Sequence, residues 1–251
     1  MLLFKIALAP VLIAAVSLAG RKWGPSVAGW LLGLPLISGP VLLFLSLEQG
    51  PQFTSRAARG SLLGLLAWAA FNIVYSYGCQ ALNWWQSTLI GWAAYFIIAA
   101  ALLPITVNVA WAFAIVSLVL AMILAVFPKA PTLRSPSPLG KYDLWVRMIS
   151  ASAMVFLITS VAEMLGPTAS GLFTTFPTYS TILAVFSHRD QASAAIHVLK
   201  GVTAGLYTAA VFFLVLCAAL PHLHVAVSFG LAVLAAIPVQ TGSLWYLRRR
   251  R

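Results

Sequence analysis

Nine runs of about 20 mainly apolar residues follow one another along this chain. They lie near 3–20, 26–47, 60–78, 84–104, 106–127, 144–165, 168–187, 198–220 and 223–246. A helix of about 20 such residues crosses the hydrocarbon core of a bilayer. The runs are continuous rather than alternating, which selects helices over a barrel. Composition agrees. Of 251 residues, 62% are hydrophobic and 8% are charged, against about 25% charged in soluble domains. The expected fold is all-α: a polytopic membrane protein of about nine transmembrane helices, with Pro-interrupted helices two and seven and a ninth run that contains Pro238 and is either one helix or a broken pair.

The net charge of +11 is not a nucleic-acid signal, because its residues sit between the apolar runs and at the C-terminus rather than in one basic patch with interleaved aromatics. It reports orientation instead. Lys5, Arg56 and Arg59 fall on the N-terminal side. Arg21, Lys22, Lys129, Arg134, Lys141, Arg147, Arg189, Lys200 and Arg248 to Arg251 fall on the other. This asymmetry puts the N-terminus outside and the C-terminus in the cytoplasm, in a bacterial inner membrane. Cys79 and Cys217 stand alone, with neither metal-type spacing nor a disulfide framework. No HExxH occurs, and His188, His197, His222 and His224 flank loops. No metal or cofactor is expected. A GxSG nucleophile motif and a buried carboxylate pair are both missing from the sequence, so an enzyme is not expected.

The chain repeats itself. GPSVAGWLLGLPLIS (24–38) aligns without gaps on GPTASGLFTTFPTYS (166–180). Gly24, Pro25, Gly29, Pro35, Ser38, Phe44 and Gln49 meet Gly166, Pro167, Gly171, Pro177, Ser180, Phe186 and Gln191. After a one-residue slip, Arg59-Gly60 meets Lys200-Gly201 and Gly64 meets Gly205. The matches concentrate in glycine, proline and loop charges, whereas chance hydrophobic similarity would match Leu, Val and Ala. The units are 1–127, with five helices, and 144–251, with four helices and a basic tail. A Pro-rich linker, 128–143, joins them. Five spans separate equivalent points, so the units are expected to be inverted relative to one another, as in many secondary transporters. The N-terminal run aligns with an internal one, which argues for its retention rather than cleavage as a signal peptide.

In inverted-repeat folds the substrate site lies where helices at the repeat interface are interrupted. Pro35 and Pro177 fall mid-run in helices two and seven, and proline leaves carbonyls without donors. The expected substrate-binding residues are therefore Pro35, Ser38, Gly39, Thr174, Thr175, Pro177, Thr178, Tyr179 and Ser180, with Asn72 of helix three. Asn72, and Asn108 in run five, more often serve helix–helix adhesion than substrate binding. Gly29, Gly33, Gly39 and Gly171 permit close helix approach. Ionisable residues in spans default to function. Glu163, Glu48, Asp190 and Arg21 are the coupling or gating candidates, with ion pairs of Glu48 to Arg56 or Arg59 and of Asp190 to Arg189 as conceivable gates. Ordinary interfacial charge is the alternative.

At GLFTTFPTYSTILAVFSHRDQASAA the chain resembles the GlpM-type family of small membrane proteins, linked by name to alginate production. The resemblance covers about 40 residues of each half and is strongest at Gly171, Phe176, Pro177, Thr178 and Tyr179. Leu34-Pro35-Leu36 replaces the FPT core in the first half. It implies a fused double version of a smaller unit. Five-helix inverted repeats are also similar in architecture to the drug/metabolite transporters. The expected function is a secondary transporter or flippase, working by alternating access, for a small or lipid-linked substrate with an anionic group favoured. The expected partners are membrane lipids and that substrate; no nucleic acid is expected, and a homodimer is left open. The alternative is a non-transporting scaffold or accessory subunit for envelope polysaccharide synthesis.

Overall fold

The computed structural model describes residues 2–35, 38–129, 142–162 and 175–249. Ten helices are seen among them, and no strand. They are α1 (Leu2–Trp23), α2 (Pro25–Leu32), α3 (Ser38–Glu48), α4 (Pro51–Gly78), α5 (Trp84–Leu102), α6 (Val109–Ala125), α7 (Asp143–Ala162), α8 (Thr178–Asp190), α9 (Ala192–Ala219) and α10 (Val225–Arg249). Among the described residues four helices are long and apolar enough to cross a membrane: α4, α5, α9 and the Val225–Trp245 part of α10. The protein is a membrane-embedded helical bundle.

Local chemistry sets the boundaries. Gly24 and Gly50 adopt φ of 94° and 87°, a region open to glycine at little cost. Each ends one helix, and the following Pro25 or Pro51 takes the first position of the next, where its missing N–H costs nothing. Run two is two helices. α2 stops at Gly33, and Leu34 N–H turns back to Leu31 O at 3.2 Å because Pro35 has no donor to offer that carbonyl. Run nine is one continuous helix with Pro238 inside it. Asn108 is not within a span. It caps α6, its Oδ1 accepting from Ala110 N at 2.9 Å.

α4 and α9 form the centre. Each has 28 residues, or about 42 Å at the helical rise, and each is mostly buried. They run antiparallel. Ser55 Oγ donates to Cys217 O at 3.0 Å, and Cys217 Sγ donates back to Ser55 O at 3.3 Å. Midway, Asn72 Nδ2 donates to Thr203 Oγ1 at 3.1 Å. At the other end Cys79 Sγ approaches Ala192 O at 3.8 Å. α5, α6, α7 and α10 turn large apolar side chains outward, among them Ile97, Trp111, Leu118, Ile149 and Leu234.

α2 lies across α9 at four glycines. A Cβ on Gly29 would overlap the Val198 carbonyl, and one on Gly201 would overlap that of Ser26. Gly33 and Gly205 face each other with their backbones in contact. The register rises together on both helices, so α2 and α9 are parallel. Gly39 differs from the expectation of close approach. A Cβ there would sit 3.5 Å from the Phe212 ring, an ordinary contact.

Candidate functional site

The hydroxyl-rich segment leads into α8. Thr175, Pro177, Thr178, Tyr179, Ser180 and Thr181 are all buried. Aromatic residues of α4 and α5 hold this segment by their polar edges. Trp68 Nε1 donates to Ser180 Oγ at 3.0 Å, and Trp92 Nε1 donates to Thr181 Oγ1 at 3.1 Å. Thr175 is hydrogen-bonded to the Tyr95 hydroxyl. Phe176 inserts between Trp92, Tyr95 and Phe96, with ring centroids 5.9, 5.1 and 5.6 Å away. Two turns along α8, Tyr75 OH meets His188 Nδ1 at 3.3 Å. Residue 68 pairs with 180 and 75 with 188, so α4 and α8 run parallel.

The hydroxyls are therefore largely engaged by protein donors. Among the candidate site residues, Tyr179 OH and Asn72 Oδ1 are buried with no hydrogen-bond partner. Asn72 itself is fully buried, and its amide joins the two central helices. It does the adhesive work and still leaves one acceptor over.

At the first break, Pro35 and Ser38 are half-buried and Gly39 is buried. Near this break a backbone carbonyl that already accepts from Gly33 N takes a second partner. Trp30 O accepts from Gln240 Nε2 of α10 at 3.4 Å, and Trp30 Nε1 donates to Ser243 Oγ at 2.8 Å. Thr208 Oγ1 of α9 donates to Gln240 Oε1. This polar cluster ties α2 to α9 and α10. Sequence reasoning passed over Gln240, Ser243, Trp68 and Trp92. The visible signal was Gln240-Thr241-Gly242-Ser243, a polar patch in an otherwise apolar run.

The structure brings α2, which leads into Pro35, into contact with α8, which starts after Pro177. Thr174, Glu163 and Gly171 lie outside the described residues. The charged candidates are peripheral. Glu48, Asp190 and Arg21 are exposed at helix ends. The expected gating pairs are not formed. Among the described residues the ion pair is Arg147 Nε with Asp143 Oδ2 at 2.9 Å, and neither Glu48 with Arg56 or Arg59 nor Asp190 with Arg189 comes within bonding range. The reason is placement: these residues end or begin helices at the surface, where water solvates them separately. Among the described residues no group of three His, Cys, Asp or Glu is positioned to hold a metal ion.

Chain direction follows from these contacts. α2 is parallel to α9, α9 is antiparallel to α4, and α8 is parallel to α4. The helical pieces next to Pro35 and Pro177 thus run in opposite directions, and each is packed on helices of the other half. No protein family, no curated protein and no solved structure matches the chain.

Proposed function

We propose that the chain is a membrane transporter or flippase working by alternating access. Its site lies between the Pro35 break and the segment Thr175 to Thr181, with Asn72 beside it. The observation that carries this reading is the opposite run of α2, which leads into Pro35, and α8, which starts after Pro177, in contact beside a central antiparallel pair. Such an arrangement fits two inverted units with a site at their interface. The reading includes nine crossings, an external N-terminus and a cytoplasmic C-terminus in a bacterial inner membrane. The buried start of α8 carries no side-chain cap, which suits a small or lipid-linked substrate with an anionic group.

A second reading has its own observation. Ser180, Thr181 and Thr175 are bonded to Trp68, Trp92 and Tyr95, as dry packing in a scaffold for envelope polysaccharide synthesis would require. The GlpM-type resemblance points the same way. Thiol accessibility separates the two. Ser38→Cys and Thr178→Cys are made with Cys79 and Cys217 replaced by alanine, and a membrane-impermeant maleimide is applied from each side of oriented vesicles. Alternating access predicts labelling from both sides. Labelling from one side only refutes it, and protection from both favours the scaffold.

A further inference from the structure

Three helix ends converge at one face of the bundle: the end of α1, the start of α7 and the end of α8. They bring Arg21, Lys22, Arg147 and Arg189 together with two carboxylates, Asp143 and Asp190. Asp143 is committed to Arg147. The Arg147 guanidinium stacks on Phe186 at 4.6 Å, and Arg189 approaches the same ring at 6.0 Å. Arg21 and Asp190 are close enough to act on Arg147 electrostatically. The Arg147 side chain is only 13% exposed, so its charge is held in place rather than waving in solvent. Two positive charges remain in excess on a small area. Like charges gathered at one face call for a counter-anion.

The surroundings say which anion. Trp23, whose ring lies 5.2 Å from Lys22 Nζ, and Trp145 are both exposed. Exposed tryptophan beside basic residues marks the headgroup level of a bilayer. From Trp145 an outward apolar stripe continues along α7 through Ile149 to Phe156, where an acyl chain would lie. A free phosphate has no use for that stripe. We propose that this face is a binding site for an anionic phospholipid, its phosphate held by Arg21 and Arg189 beside the anchored Arg147. Guanidinium groups suit a phosphate because they offer paired N–H donors. The site needs no transport activity and stands apart from the segment Thr175 to Thr181.

The test uses the purified full chain in micelles containing phosphatidylcholine, with phosphatidylglycerol titrated in and thermal stability as the readout. Wild type is expected to rise in Tm saturably. In Arg21→Gln/Arg189→Gln, roughly thirtyfold more phosphatidylglycerol should be needed, since each basic residue near an anionic surface contributes about a fivefold factor. Both residues are exposed, so the variant should keep its fold in phosphatidylcholine alone. Arg56→Gln/Arg59→Gln removes the same charge from another end and should leave the titration unchanged. The proposal is overturned if wild type shows no saturable rise, if both double variants weaken it equally, or if inorganic phosphate alone reproduces it.

Discussion

Gly205 offers the sharpest test of the packing. A Cβ at this position would lie 2.6 Å from Trp30 O and 2.8 Å from the Gly33 Cα, both backbone atoms, whereas ordinary contact begins at 3.4 Å. Gly205→Ala must therefore drive α2 and α9 apart by about 0.8 Å. Overpacking of this kind costs about 1–3 kcal/mol. The same shift stretches the Gln240 Nε2 to Trp30 O bond, already 3.4 Å long, past useful range, at a cost of about 1 kcal/mol. Alanine returns up to about 1 kcal/mol in helix propensity. The net loss is about 1–3 kcal/mol, which for a chain of this size lowers Tm by roughly 3–10 °C. The internal control is Gly230→Ala in α10, where nothing lies within 4 Å, so only the propensity gain operates. Both variants are purified in one detergent and melted side by side. If Gly205→Ala matches Gly230→Ala, the close crossing of α2 and α9 is wrong.

Gln240→Leu leaves the Trp30 carbonyl and the Thr208 hydroxyl without Gln240 as partner. A loss of about 1–3 kcal/mol is expected in reversible denaturation, and Gln240→Glu should not restore it, having no amide donor. Trp68→Phe and Trp92→Phe each remove one indole donor from α8 at about 1 kcal/mol apiece. Because they hold one short helix, the double variant should depart from additivity, and strictly additive Tm losses would argue against a shared clamp. His188 lies just past run seven, and burial lowers its pKa below the usual 6.5. The folded state favours the neutral ring that meets Tyr75 OH, so this contribution to stability is complete above about pH 6.5 and is lost as pH falls through the lowered folded value. A pH–Tm profile of His188→Gln should be flatter over that range.

The sequence located helices better than it oriented them. Runs 60–78, 84–104, 198–220 and 223–246 overlap α4, α5, α9 and α10 almost completely, because length and apolar content are direct signals of a span. Pro35 marked a real break for a local reason, the missing donor. Rotation about each helix axis was not legible. In lipid the buried and outward faces are both apolar, so periodicity separates them poorly. Trp68 and Trp111 look alike in sequence, yet one donates to Ser180 inside the bundle and the other faces outward. The hydroxyls of Ser180 and Thr181 read as open for a substrate because the indoles that occupy them come from residues about 90 to 110 positions earlier in the chain. Asn108 was misplaced by a few residues, the usual error at helix boundaries, and that error turned a cap into an intramembrane polar residue.

The glycine crossing has a consequence for synthesis. α2 leaves the ribosome early, but the surface it fits belongs to α9, about 170 residues later. At common elongation rates of about 5–20 residues per second, Gly29 and Gly33 wait roughly 10–30 s before Gly201 and Gly205 exist. During that time the small-residue face of α2 is uncovered, open to the same face of another nascent chain. An N-terminal half made alone would stay in that state indefinitely. Supplied with the C-terminal half as a separate polypeptide, it should close the crossing and recover the native bundle.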